Sequence, residues 1–188
     1  MTPATSTDGA VGVEEAQWYI AIVPPRAEKS VRDKLLASGL EAYAATRKEI
    51  HVWRRNERRT VERVLITNIV FVHTLSTQLE GLKQHRILSF MRDAAKKTGN
   101  RNTPYAIVRN SEMHLLQAML AQDEYEVSFT PSDFTLGEYV KVLGFDTGDQ
   151  LAQIIRLPND TKNYVGIRVN FLGCAYMQVP LNHILKAI

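Results

Sequence analysis

Trp18-Tyr19-Ile20-Ala21-Ile22-Val23-Pro24-Pro25-Arg26-Ala27-Glu28-Lys29 decides how this chain begins to fold. Its first six residues form an apolar run rich in aromatic and β-branched side chains, which predicts a buried strand. Pro24-Pro25 ends that strand, and proline suits the first turn of a helix. Ala27, Val31, Leu35 and Leu36 then recur at helical spacing, and Gly39 supplies a stop. The reading is a strand followed by an amphipathic helix. Upstream, residues 1–16 are small and polar, with Pro3, Gly9 and Gly12, and are expected to form a disordered leader.

Downstream, residues 41–52 read as extended chain, and Trp53-Arg54-Arg55-Asn56-Glu57-Arg58-Arg59 as a basic connection. Val61 to His73, with Val64-Leu65-Ile66 and Ile69-Val70-Phe71-Val72, reads as one central strand. The pattern predicts a hairpin whose tip bears four arginines. Thr77 with Glu80 matches a capping box for a short helix carrying Leu79 and Leu82. Residues 87–91 read as a strand and 93–103 as a loop. Ser111 is the expected cap of a third helix with Met113, Leu116, Met119 and Leu120 on its apolar face. Gln122 to Asp133 lacks periodicity and reads as a linker. From Phe134 the pattern turns to short strands at 139–142, 152–155, 166–171 and 175–179, separated by turns at 146–149 and 158–160. Some 55 residues of such strands suggest a small barrel.

Bulk properties limit the possible functions. A chain of 188 residues, 45% hydrophobic, has room for one domain or two small ones. No apolar run reaches the roughly 20 residues that span a bilayer. The N-terminus lacks the basic start and apolar core of a secretory signal, and the single Cys174 excludes an internal disulfide framework. A cytoplasmic protein without a membrane partner is expected. Net charge is +3, but residues 26–63 carry 11 Lys or Arg against 6 Asp or Glu, a local charge of +5. That imbalance points to one polyanion-facing surface. The five histidines lie in separate elements without metal-ligand spacing, no glycine-rich phosphate loop occurs, and Cys174 reads as a buried inert thiol. No catalytic residue, metal or cofactor is expected.

Trp18-Tyr19, Pro25-Arg26-Ala27-Glu28-Lys29, Trp53 with its basic hairpin and the Phe71-Val72 strand together resemble the N-terminal domain of NusG-like transcription factors. Thr46-Arg47-Lys48-Glu49 through Trp53, Arg86-Ile87-Leu88-Ser89-Phe90 and Pro104-Tyr105-Ala106-Ile107-Val108 resemble, more narrowly, the UpxY antiterminators of capsular polysaccharide operons. The likeness is good over residues 17–120 and loose beyond. Val64 to Ile69 lacks the family's prolines, glycine and tyrosine, and Val142 to Gly148 keeps two glycines of the KOW motif while losing its proline.

The resemblance implies an α+β protein. An antiparallel sheet flanked by helices (the NGN type) would occupy residues 17–122, and an SH3-like, KOW-type β-barrel residues 134–188, joined by a linker over 123–133. It also implies an elongation factor that suppresses pausing and termination. Tyr19, Ile22, Leu65 and Ile66 would wall a hydrophobic depression for the clamp helices of the largest polymerase subunit. Arg54, Arg55, Arg58 and Arg59 in the hairpin, with Arg26, Lys29 and Arg32 on the first helix, would face non-template DNA or nascent RNA. Rho or a ribosomal protein would meet the barrel. The residues themselves also allow a solvated turn interleaved with Glu57 and Glu62, local i, i+4 pairing of Glu28 with Arg32 and Lys29 with Asp33, and ordinary core strands. An RNA-binding or ribosome-associated module is the competing function.

Overall fold

Strand β1 (Gln17–Ile22) runs through the middle of the first sheet of the computed structural model, which describes residues 14–52, 58–96, 103–131, 134–143, 151–158, 160–162 and 164–186. It pairs antiparallel with β5 (Ile69–Thr74) on one side, and with β6 (Ser89–Phe90) and β7 (Ile107–Val108) on the other; β2 (Glu41–Tyr43) flanks β5. Side chains alternate across a strand, so this sheet has two apolar faces. Tyr19, Ala21, Val70 and Val72 pack on the side of helix α1 (Glu28–Ala37), with its Val31 and Leu35. Trp18, Ile20, Ile69 and Phe71 pack on the opposite side against helix α3 (Asn110–Ala121), through Met113, Leu116 and Met119.

Local chemistry sets the boundaries. Gly39 takes φ +80, and the amide of Leu40 bonds back to the Leu35 carbonyl at 3.1 Å, closing α1. At the other end, the carboxylate of buried Glu28 accepts the amide of Asn68 at 2.7 Å. Asn68 sits at φ +63, a conformation asparagine tolerates well, and its carbonyl accepts the Val23 amide at 2.9 Å. This turn cuts the expected single strand of 61–73 into β4 (Arg58–Val64) and β5. Glu112 accepts the Arg109 amide, so α3 starts at Asn110 and Ser111 lies inside the helix instead of capping it. Thr77 likewise caps nothing. Its hydroxyl donates to Glu14, which also accepts from the amide and hydroxyl of Ser76 ahead of helix α2 (Leu79–Leu82). The end of the expected leader is thus anchored, while its residues 1–13 lie outside the described residues.

The second sheet contains β8 (Val127–Thr130), β9 (Thr135–Val142), β10 (Ala152–Arg156), β11 (Tyr164–Val169), β12 (Gly173–Met177) and β13 (Ile184–Lys186), in the order β13-β9-β10-β11-β12-β8. This sheet stands where the small SH3-like barrel is expected, and among the described residues its strand path does not close on itself. β8 arises inside the expected linker and adds to the edge of β12. The addition depends on Gly173, at φ +145, where a Cβ would stand 2.1 Å from the Thr130 carbonyl oxygen.

The two sheets share a core. Val127, Val140, Val165, Ile167, Ala175 and Met177 belong to the same buried cluster as Trp18, Phe71 and the inner face of α3. Polar ties reinforce the junction: Asn170 Nδ2 donates to Glu112 at 2.8 Å, and Gln122 Nε2 donates to the Met119 and Tyr125 carbonyls. Burial raises the Glu112 carboxyl above its ordinary value. Among the described residues no helix is long and apolar enough to cross a membrane.

Candidate nucleic-acid interface

Strand β3 (Thr46–Val52) pairs with β4 as a separate two-stranded ribbon, from Thr46 opposite Val64 to Val52 opposite Arg58. The ribbon's alternation gives it two faces. One carries Arg47, Glu49 and His51 opposite Arg63, Val61 and Arg59. The other carries Thr46, Lys48, Ile50 and Val52 opposite Val64, Glu62, Thr60 and Arg58. Glu49 sits between Arg63 and His51, 3.1 Å from Arg63 Nη1 and 3.3 Å from His51 Nε2, and the Arg63 contact holds its carboxyl below the ordinary value. Arg58 and Arg59 are exposed at the outer end of β4. Arg54 and Arg55 lie outside the described residues.

The first helix grips this ribbon. Arg32 Nη1 and Nη2 donate to the two Glu62 carboxylate oxygens at 2.5 and 3.3 Å, Thr46 Oγ1 donates to the same carboxylate at 2.6 Å, and Lys29 Nζ donates to the Glu62 carbonyl at 3.0 Å. A forked guanidinium–carboxylate pair is among the stronger polar contacts available to a protein. It holds the Glu62 carboxyl down to about 2, chiefly through the bond from Arg32, and raises the Arg32 guanidinium. Burial pushes the neighbouring Tyr43 hydroxyl up. Arg32 also donates to Asp33 through Nε at 2.8 Å. The two helix cations expected to face nucleic acid are therefore turned onto the ribbon. The local pairing of Arg32 with Glu28 does not form, because Glu28 is buried at the Asn68 turn. Arg26 is exposed at φ +63, just ahead of α1.

The four expected polymerase contacts are not brought onto one surface. Tyr19 is buried on the α1 side of the first sheet, its ring edge-on to Tyr105 at 6.1 Å. Ile66 is buried in the core shared with the second sheet; Ile22 and Leu65 are half-buried against that same core. Residue alternation along β1 separates Tyr19 from Ile22, a consequence of period two that a list of apolar residues does not convey.

Two histidines and the cysteine hold structural positions. His73 stacks on Trp18 at 5.0 Å and meets Glu41 through Nδ1 at 2.9 Å. His183 Nδ1 lies 2.6 Å from the Tyr125 hydroxyl. Cys174 is buried, and burial pushes its thiol up to about 12, which suppresses the thiolate. Among the described residues, no group of three or more His, Cys, Asp or Glu side chains could hold a metal ion.

The sequence profile of the family described as "Transcription termination factor nusG" matches residues 16–117, more than half of the chain. The chain belongs to the NusG family. Members of this family of transcription factors bind RNA polymerase. The matched residues hold the first sheet, α1 and the whole β3–β4 ribbon. No curated protein matches the chain. Among solved structures, one described as "Domain interaction in Thermotoga maritima NusG" is 17% identical, with a TM-score of 0.44 over 93% of this chain and 98% of that one. A likeness at that score carries no argument about contacts or partners.

Proposed function

We propose that this NusG-family chain is a specialised elongation factor that engages transcribing RNA polymerase and suppresses pausing and termination in particular operons. The resemblance to UpxY antiterminators points to capsular polysaccharide operons. The observation that carries the reading is the basic ribbon: it belongs to neither sheet, and a charged latch holds it against α1 within the family-matched residues. In this reading Arg54, Arg55, Arg58, Arg59 and Arg26 meet non-template DNA or nascent RNA. Lys29 and Arg32 position the ribbon. Of the four apolar candidates, Ile22 and Leu65 keep part of their surface exposed and would meet the clamp helices, while the buried Ile66 and Tyr19 would support the fold without touching the partner. Residues 17–122 form the polymerase-binding domain, and the second lobe would receive Rho or a ribosomal protein.

Binding across a clamp acts by favouring one of its existing states, so no chemical step is required of the factor. The testing experiment is co-purification of the full chain with core RNA polymerase, followed by transcription through a terminator on a capsular operon template. Stoichiometric capture with increased read-through is expected. A folded chain that does not bind polymerase would overturn the proposal.

A further inference from the structure

The outer face of the second sheet carries a groove with a chemistry of its own. Val165, Ile167, Ala175 and Met177 point into the core, so alternation puts Tyr164 and Tyr176 on the opposite face. Their rings meet edge to face at 5.0 Å. Ser128 pairs with Tyr176 across β8 and β12, and Glu126 and Gln178 follow one step beyond the Val127–Met177 pair. These residues, with Glu124, line a cavity of about 610 Å³. The only charged side chains among its described lining are the carboxylates of Glu124 and Glu126. Both are exposed, Glu124 lying beside the Tyr125 hydroxyl and 3.9 Å from His183 Nδ1.

We propose that this groove docks a basic protein segment, an extended peptide whose arginine or lysine side chains lie over Tyr164 and Tyr176 and reach Glu124 and Glu126. Aromatic faces attract cations, guanidinium most of all, and the attraction grows as water is displaced from the site. The two carboxylates supply the complementary charge and set direction along the groove. Tyrosine rings also stack on nucleic-acid bases, but a strand seated here would carry phosphates past two carboxylates, and the cations Arg47 and Arg63 line only the adjoining cavity that shares Glu126, Ser128 and Tyr176, where Arg63 is paired with Glu49. The charge pattern therefore selects the peptide. This partner is distinct from nucleic acid at the ribbon, and the inference does not depend on polymerase binding.

The test is an amide NMR titration of the full chain at pH 7.5 with the peptide (Gly-Arg)4, its citrulline counterpart and octauridine. The arginine peptide is expected to shift resonances of residues 124–128, 164 and 176–178. The citrulline peptide, and the arginine peptide added to E124Q/E126Q, are each expected to bind at least ten-fold more weakly. Both substitutions fall on exposed side chains, and the unperturbed core resonances report that the variant is folded. Shifts centred elsewhere, equal binding of arginine and citrulline peptides, or octauridine moving the same resonances and displacing the peptide would each overturn the proposal.

Discussion

Replacing Glu62 by glutamine tests whether the latch between α1 and the ribbon is energetically real. The wild-type carboxyl is held at about 2 against an ordinary 4.5, chiefly by the fork from Arg32. At about 1.4 kcal/mol per unit, that depression corresponds to roughly 3 kcal/mol of preference for the charged form. A third of the Glu62 side chain is exposed, and solvent screening reduces the usable part to about 1.5 kcal/mol. For a chain of this size the loss amounts to a melting temperature lower by about 4 °C. The sign with pH follows from the direction of the shift. A depressed carboxyl stabilises the fold fully above 4.5 and loses that contribution as pH falls towards 2. Urea unfolding of wild type and E62Q should therefore show a constant gap from pH 8 to 5.5 that closes between pH 4.5 and 2. Equal stability at pH 7, or a gap that persists undiminished at pH 2, would refute the latch.

Substituting Arg54, Arg55, Arg58 and Arg59 by alanine should weaken engagement of a paused elongation complex and flatten its salt dependence, by about 0.7 log unit per lost single-strand contact. Parallel salt slopes for variant and wild type would reduce these arginines to a solvated turn. Arg32→Ala should differ in lowering the thermal stability of the free chain, and it should also weaken engagement because the ribbon loses its aim; unchanged thermal stability would refute its place in the latch. Gly166→Ala forces a Cβ to within 2.1 Å of the Ala175 carbonyl oxygen, so the variant should be destabilised by roughly 3 kcal/mol in urea unfolding. Cys174 should resist iodoacetamide in the native chain at pH 8 and react once urea unfolds it; rapid native labelling would contradict its burial.

Where a signal was local, the residues disclosed the structure. The Trp18–Val23 run, the spacing of Val31 and Leu35, and the β-rich stretch after Phe134 correspond to β1, α1 and the second sheet. Signals that depend on distant partners were hidden. Glu62 and Arg32 are 30 residues apart, and nothing within α1 indicates that its two cations turn onto the ribbon. Glu28 looked like a surface acid in an i, i+4 pair, but its partner is the amide of Asn68, 40 residues away. β8 escaped because a four-residue edge strand among acidic neighbours has no periodicity of its own; β12 and the space left by Gly173 define it. Thr77 kept its capping pattern but gave its hydroxyl to Glu14, a contact 63 residues distant.

The ribbon is also a lever. From the Thr46–Val64 pair at its base to the Val52–Arg58 pair there are six residue steps, about 20 Å at 3.3 Å per step. The latch at Glu62 lies two steps from the base, about 7 Å along. If the base acts as a fulcrum, a slip of 1 Å at the Arg32–Glu62 contact becomes a displacement of about 3 Å at the outermost pair. That is the difference between a hydrogen bond to a phosphate oxygen and none. Aim at the far end is thus set close to the pivot, by one carboxylate that touches no nucleic acid.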